Sequence, residues 1–168
     1  MRKNLLSVIF IILIPTNLFA SNIRFGPFLH NLDYFNQKHE KGFNLATEYL
    51  VSEKYSFIFG RPLVGLSLNI LGYSSNIYTG LLWQLKIIER ATIELGFGAS
   101  LNNSELKNRS KSKQATGSNI LFRESIGINY RYLPELAIIL QLEHRSNANI
   151  RRPNPGFTNL GVMFELTI

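Results

Sequence analysis

The chain has 168 residues, enough for one domain, with a formal net charge of +7 and no cysteine. Without cysteine, neither a disulfide framework nor a thiolate metal site can form. The basic balance favours an anionic partner, either nucleic acid or a membrane surface.

The first twenty residues read as an export signal. Met1-Arg2-Lys3 is a short basic head, Leu5–Ile14 an apolar run, and Leu18-Phe19-Ala20 ends on a small residue. The run is shorter than the ~20 residues a spanning helix needs, although an uncleaved anchor is the competing reading. Ser21 is then the first mature residue. Loss of Arg2 and Lys3 leaves +5 on the mature chain. Export argues against nucleic acid and leaves the anionic glycolipid of an outer leaflet as the expected partner.

From Asn22 onward the pattern has period two, as in strands with unlike faces. Strands are expected at 22–33, 41–51, 60–69, 75–87, 91–101, 119–132, 135–146 and 157–168. In the fourth, Ile77, Thr79, Leu81, Trp83, Leu85 and Ile87 share one face. In the sixth, Phe122, Ile126, Ile128 and Tyr130 alternate with Arg123, Ser125, Gly127, Asn129 and Arg131. In the last, Leu160, Val162, Phe164 and Leu166 alternate with Gly161, Met163 and Glu165. A soluble sandwich would bury the apolar face between two sheets. A membrane barrel would turn it to lipid and keep a polar interior. Glu48, Glu94, Arg123 and Arg131 at mid-strand favour an eight-stranded antiparallel outer-membrane β-barrel with an ion-paired lumen, a single domain over residues 21–168. Short connections at Glu89-Arg90 and Leu133-Pro134 then lie on the periplasmic side, and the Asn102–Ser118 stretch is an external loop. Ser52–Phe59 fits less well, since a tight turn belongs there. Trp83 and the tyrosines suit an interfacial girdle.

The seventh strand holds the candidate chemistry. Leu136, Ile138, Leu140 and Leu142 form the lipid-facing parity, and His144 and Ser146 continue it. Ala137, Ile139, Gln141, Glu143 and Arg145 take the other face. A histidine facing hydrocarbon carries a desolvation cost unless partnered. A Ser activated by a neighbouring His is a device for acyl transfer. The competing reading is an ordinary polar strand end at the water interface.

The tail His144-Arg145-Ser146-Asn147-Ala148, followed by Pro153-Asn154-Pro155-Gly156, resembles the signature of the lipid A 3-O-deacylase family, PagL, also described as acyloxyacyl hydrolases. Further matching pieces are Arg61-Pro62, Gly65 and Asn69; Tyr78-Thr79-Gly80-Leu81-Leu82-Trp83; and Gly117-Ser118 with Leu121-Phe122-Arg123. The resemblance implies an outer-membrane esterase that removes an ester-linked (3-O) acyl chain from lipid A. It implies Ser146 as nucleophile, His144 as general base, and Asn147 and Asn154 as oxyanion support.

The chain departs from the pattern twice. The family's carboxylate position falls on Thr158, which shares the outward parity of Leu160 and sits across a hairpin from His144. A threonine can accept a hydrogen bond from the imidazole but cannot compensate an imidazolium charge. In a serine protease triad, loss of the orienting acid costs about 10⁴ in turnover. Asn149 stands where the family often has Gly. A reduced or lost activity is therefore one expectation, and the alternative function is a non-catalytic structural or surface barrel with a degraded site. A third reading is a periplasmic sandwich that binds lipid.

Arg145, Arg151 and Arg152 are candidates to contact lipid A phosphates. His30 and His39, near the first external loop, read as surface residues. Glu48 and Glu94 read as partners of lumen arginines. No metal and no cofactor are expected, and a homodimer is left open.

Overall fold

The computed structural model describes residues 21–32, 40–109 and 113–168. The expected export signal and His39 lie outside the described residues. Eight strands follow in chain order: β1 Asn22–Leu29, β2 Phe43–Leu50, β3 Arg61–Asn69, β4 Asn76–Ile88, β5 Ala91–Asn102, β6 Ile120–Leu133, β7 Leu136–Ser146 and β8 Phe157–Thr167. Each pairs antiparallel with its sequence neighbours, and β8 returns to β1 to close the barrel. Closure leaves no sheet edge, as hydrocarbon demands, since it offers an unpaired backbone group no partner.

The strands form because period two sorts their side chains by solvent. Leu45, Ile77, Leu95, Ile128, Leu140 and Val162 stand exposed on the outer wall. Arg24, Glu48, Glu94, Arg123, Glu143 and Glu165 are buried inside. A soluble sandwich would bury the first set, so the outer wall is built for lipid. The lumen also has apolar layers, one of Phe28, Ala46, Ile139 and Met163 and another of Leu50, Leu63, Tyr78 and Leu82.

The lumen charges are closely matched. Arg24 lies 2.7 Å from Glu94, 2.6 Å from Glu165 and 3.6 Å from Glu48. Arg123 reaches Glu48 at 2.8 Å and Glu143 at 3.0 Å, with its guanidinium 4.0 Å over the Tyr78 ring. Glu48 and Glu94 are thus partners of lumen arginines, as expected.

The termini meet at one end, where Ser21 N–H donates to Ile168 O at 3.0 Å. Two connections at that end are two-residue turns, Glu89-Arg90 and Pro134-Glu135, both beside register shifts in the ladder. The third, after β2, is longer and accounts for the poor fit of Ser52–Phe59. A 3-10 turn at Glu53–Tyr55 precedes a tight reversal in which Phe57 and Gly60 exchange backbone hydrogen bonds at 2.8 Å. Trp83 on the outer wall donates to Ile58 O at 2.9 Å, so this knuckle folds back over the wall. Tyr130 and Tyr132 stand exposed near the same end.

The long connections lie at the opposite, external end. There β1 stops at Leu29, four residues short of expectation. Asn31 takes a φ of 53°, outside any strand conformation. His30 is not a surface residue. It is buried, its Nε2 3.0 Å from Glu40, and its ring lies against Phe157. Glu40 also accepts hydrogen bonds from Ser74 N–H and Oγ and from Gln114 N–H. Burial works against the charged form of Glu40, but these bonds outweigh it and hold its carboxyl below the usual range. Three of the external connections meet at this carboxylate.

Candidate active site

β7 points His144 and Ser146 to the outer wall, both half-buried. Cross-strand register fixes the neighbours of His144: Glu124 on β6 and Thr158 on β8. The same register pairs Phe122 with Ser146. These four polar residues form an island on a wall otherwise made by Ile126, Leu142, Leu160 and Phe97.

Thr158 is where the parity argument put it. Its Oγ1 lies 2.9 Å from His144 Nδ1. Glu143 points inward, held by Arg123 and by Asn159 Nδ2 at 2.9 Å, and has no access to the imidazole. Ser146 is the next outward residue toward the rim, about 6.7 Å further along the strand. Among the described residues, no hydrogen bond joins Ser146 to the ring.

The loop after β7 shapes the rest. Ile150 N–H donates to Asn147 O at 3.0 Å, with φ of 52° at Ala148 and 61° at Asn149. This is a tight turn with two left-handed residues. Asn adopts that conformation more readily than most residues with a side chain, so Asn149 is compatible with the turn seen here. Asn147 is buried, and its Nδ2 donates to Thr116 O at 2.7 Å and Arg151 O at 2.8 Å. Its N–H donates to Asn154 Oδ1 at 2.9 Å. Both asparagines therefore lie beside Ser146, but their polar groups are engaged in building the loop.

Gly156 sits against the imidazole. A Cβ at this position would come within 2.8 Å of His144 Cε1 and 3.1 Å of Nε2, and the residue has a φ of +70°. Only glycine leaves the ring that space. Gln114 Nε2 donates to Gly156 O, which connects the loop cluster around Glu40 to the ring.

One expectation is corrected. Arg145 does not face the membrane. Its guanidinium is buried in the lumen, 3.3 Å from Glu143, because odd-numbered residues of β7 point inward. It cannot contact a lipid phosphate from there. Arg151 and Arg152 are exposed in the loop. Arg151 also lines a cavity of about 210 Å³ beside Ser146, with Ile120, Phe122, Asn147 and Ile150. The sequence reading passed over Glu124 and gave Gly156 no role beyond its place in the motif. Parity alone placed Glu124 on the outer wall; its partner required the register.

A protein-family model described as lipid A 3-O-deacylase (PagL) matches residues 20–167. The lipid A deacylase PagL of Bordetella bronchiseptica is 35% identical over 85 residues, which is 46% of this chain and 46% of that protein. The matched region thus spans less than half of that relative. Among solved structures, the outer membrane enzyme PagL aligns with a TM-score of 0.57 at 13% identity, covering 89% of this chain and 100% of that one. Neisserial surface protein A aligns at 0.63 and 13% identity, covering 89% and 99%. The N-terminal barrel of Pseudomonas aeruginosa OprF aligns at 0.62 and 7%, covering 89% and 97%. Those structures share the fold; the family follows from the match over nearly the whole described barrel. The chain is an outer-membrane β-barrel that belongs to the lipid A 3-O-deacylase (PagL) family.

Proposed function

We propose that the protein is an outer-membrane esterase that removes an ester-linked (3-O) acyl chain from lipid A with Ser146 and His144. The observation that carries this reading is the 2.9 Å contact of His144 Nδ1 with Thr158, on the lipid-facing wall directly below Ser146. With Nδ1–H donating to Thr158 Oγ1, Nε2 is left unprotonated and serves as the base. Ser146 Oγ attacks the ester carbonyl while Nε2 takes its proton. The imidazolium then returns that proton to the leaving sugar oxygen, and an acyl-serine remains. Water attacks the acyl-serine, its proton passes to Nε2, and fatty acid is released with Ser146 restored.

Placement on the outer wall lets the ester be reached without lifting the lipid from its leaflet. Asn147 and Asn154 support the site by fixing the turn beside the nucleophile. The exposed Arg151 and Arg152 are the arginines available to lipid phosphates. Purified lipid A incubated with the folded protein in micelles is expected to lose one hydroxyacyl chain, read by mass spectrometry. Undiminished release by Ser146→Ala would remove Ser146 from the mechanism.

Thr158 motivates a second reading, a structural barrel with a decayed site. Thr158→Glu separates the two. A silent protein that gains release is a decayed enzyme, whereas an active parent works without an acid at that position.

A further inference from the structure

We infer that Glu124 supplies the carboxylate that position 158 lacks, as a positioning and charge-compensating residue acting through His144. The inference rests on the esterase reading above and concerns how its base is made effective.

The register is the first observation. Glu124 and His144 are direct cross-strand partners on the outward face of β6 and β7. Opposed residues of an antiparallel pair have Cβ atoms about 4.5–5.5 Å apart, within reach of a Glu side chain. Thr158 opposes His144 from the other side, so the imidazole stands between a hydroxyl and a carboxylate. A relocated acid needs only to approach the ring from the opposite strand.

The surroundings of Glu124 are the second. Its other cross-strand partner is Phe97 on β5, and its same-face neighbours on β6 are Phe122 and Ile126. A carboxylate among aromatic and aliphatic side chains on a lipid-facing wall is costly. Glu48, Glu94, Glu143 and Glu165 in the lumen each have an arginine partner, whereas among the outward-facing strand residues around Glu124 only His144 can become a cation.

No ion pair joins Glu124 to His144 among the described residues, and none is required in the resting site. A neutral imidazole gives the carboxylate little to bind. The attraction appears when Nε2 takes the Ser146 proton, so it is stronger in the transition state than in the ground state. Thr158 orients Nδ1, and Glu124 compensates the charge. Between them they divide the two tasks of a triad acid.

The test is a four-protein cycle: the parent, Glu124→Gln, Thr158→Glu and the double variant. Each is assayed on lipid A and by the rate at which a fluorophosphonate labels Ser146. Glu124→Gln is expected to lower kcat and labelling by roughly 10- to 100-fold, with KM little changed. In the Thr158→Glu background the same change should cost less than threefold, because the acid has been restored. Glu124→Asp should recover part of the rate. An equal loss in both backgrounds, or a loss confined to KM, would make Glu124 a substrate contact and overturn the inference. So would an unchanged Glu124→Gln enzyme, while abolition by Ser146→Ala in the same assays would leave the esterase reading standing. If Ser146 is unlabelled in every variant, both fail. Heat-modifiable gel mobility confirms that each variant is folded.

Discussion

The lumen and the outer wall use the same residue types to opposite ends. Inside, Glu143 accepts hydrogen bonds from Arg123 and Asn159 and lies 3.3 Å from Arg145. Arg24 is shared among three carboxylates. Outside, among the described residues, Ser146 has no hydrogen bond to the ring beside it, and the His144 ring has a single one, to Thr158. Charges that hold the fold are paired with opposite charges, even where Arg145 Nε and Nη2 and Glu48 Oε2 make no hydrogen bond, whereas the groups proposed to react have no ion-pair partner among the described residues. Breaking the paired network should cost stability, and disturbing the outer site should cost rate.

The largest effect is expected inside. Glu143→Ala would strand the Arg145 guanidinium in the lumen and leave Arg123 with Glu48 alone, and removing one partner of a buried ion pair costs about 3–5 kcal/mol. Urea unfolding in micelles, followed by gel mobility, should show a lower midpoint. An unchanged midpoint would mean that the lumen is wet enough to solvate Arg123 and Arg145, and the contrast with the outer wall would weaken.

The second effect should strike rate harder than stability. Gly156→Ala places a methyl 2.8 Å from His144 Cε1 and 2.9 Å from the Arg145 backbone oxygen, so the ring must shift and the loop must give. A displacement of about 1 Å in a reacting group costs about 10²-fold in rate. The left-handed φ of +70° adds some strain. Turnover on lipid A should fall far more than the unfolding midpoint does. A fall in both alike would make Gly156 a loop residue rather than part of the site.

The third test asks whether a paired carboxylate also holds the external loops. Glu40 joins the external loops, and its carboxyl is held below the usual value of 4.5. A depressed folded value means that its contribution is complete above that usual value and is lost as pH falls through the lower one. Protection of the Ser74 and Gln114 amides, measured against their intrinsic exchange rates, should therefore begin to fall below about pH 4.5. Glu40→Gln should lower that protection at neutral pH, at a cost of about 1.5–3 kcal/mol. Exchange that ignores both changes would leave the loops held by other contacts.

The barrel was legible because lipid and lumen impose period two on every strand, and Leu136–Leu142 with Ile77–Ile87 carry it openly. The same parity placed His144, Ser146 and Thr158 on one face. What it could not give was the partner of His144 on β6. The ladder shifts by one residue between Arg131 and Leu133. Counting back from the turn therefore misses Glu124, because a bulge has no reliable mark in composition. His30 failed for another reason. Its burial depends on Glu40 and Phe157, which are brought to it by loops without periodicity. Arg145 was legible by parity, yet its charge and its place in the motif drew it to the lipid face.

The smallest effect tests the one bond that His144 keeps. Thr158→Val retains the shape and removes the hydroxyl, leaving Nδ1 without its acceptor. A net hydrogen bond of about 1 kcal/mol corresponds to roughly a fivefold to tenfold fall in kcat. Thr158→Ser, which retains the hydroxyl, should keep most of the parent rate. If Val and Ser behave alike, packing against Gly156 alone orients the ring. If Val is slower and Ser is not, the hydroxyl sets the tautomer. An open site then needs at least one closed bond, because a base that can turn freely would present its protonated nitrogen to Ser146 as often as its lone pair.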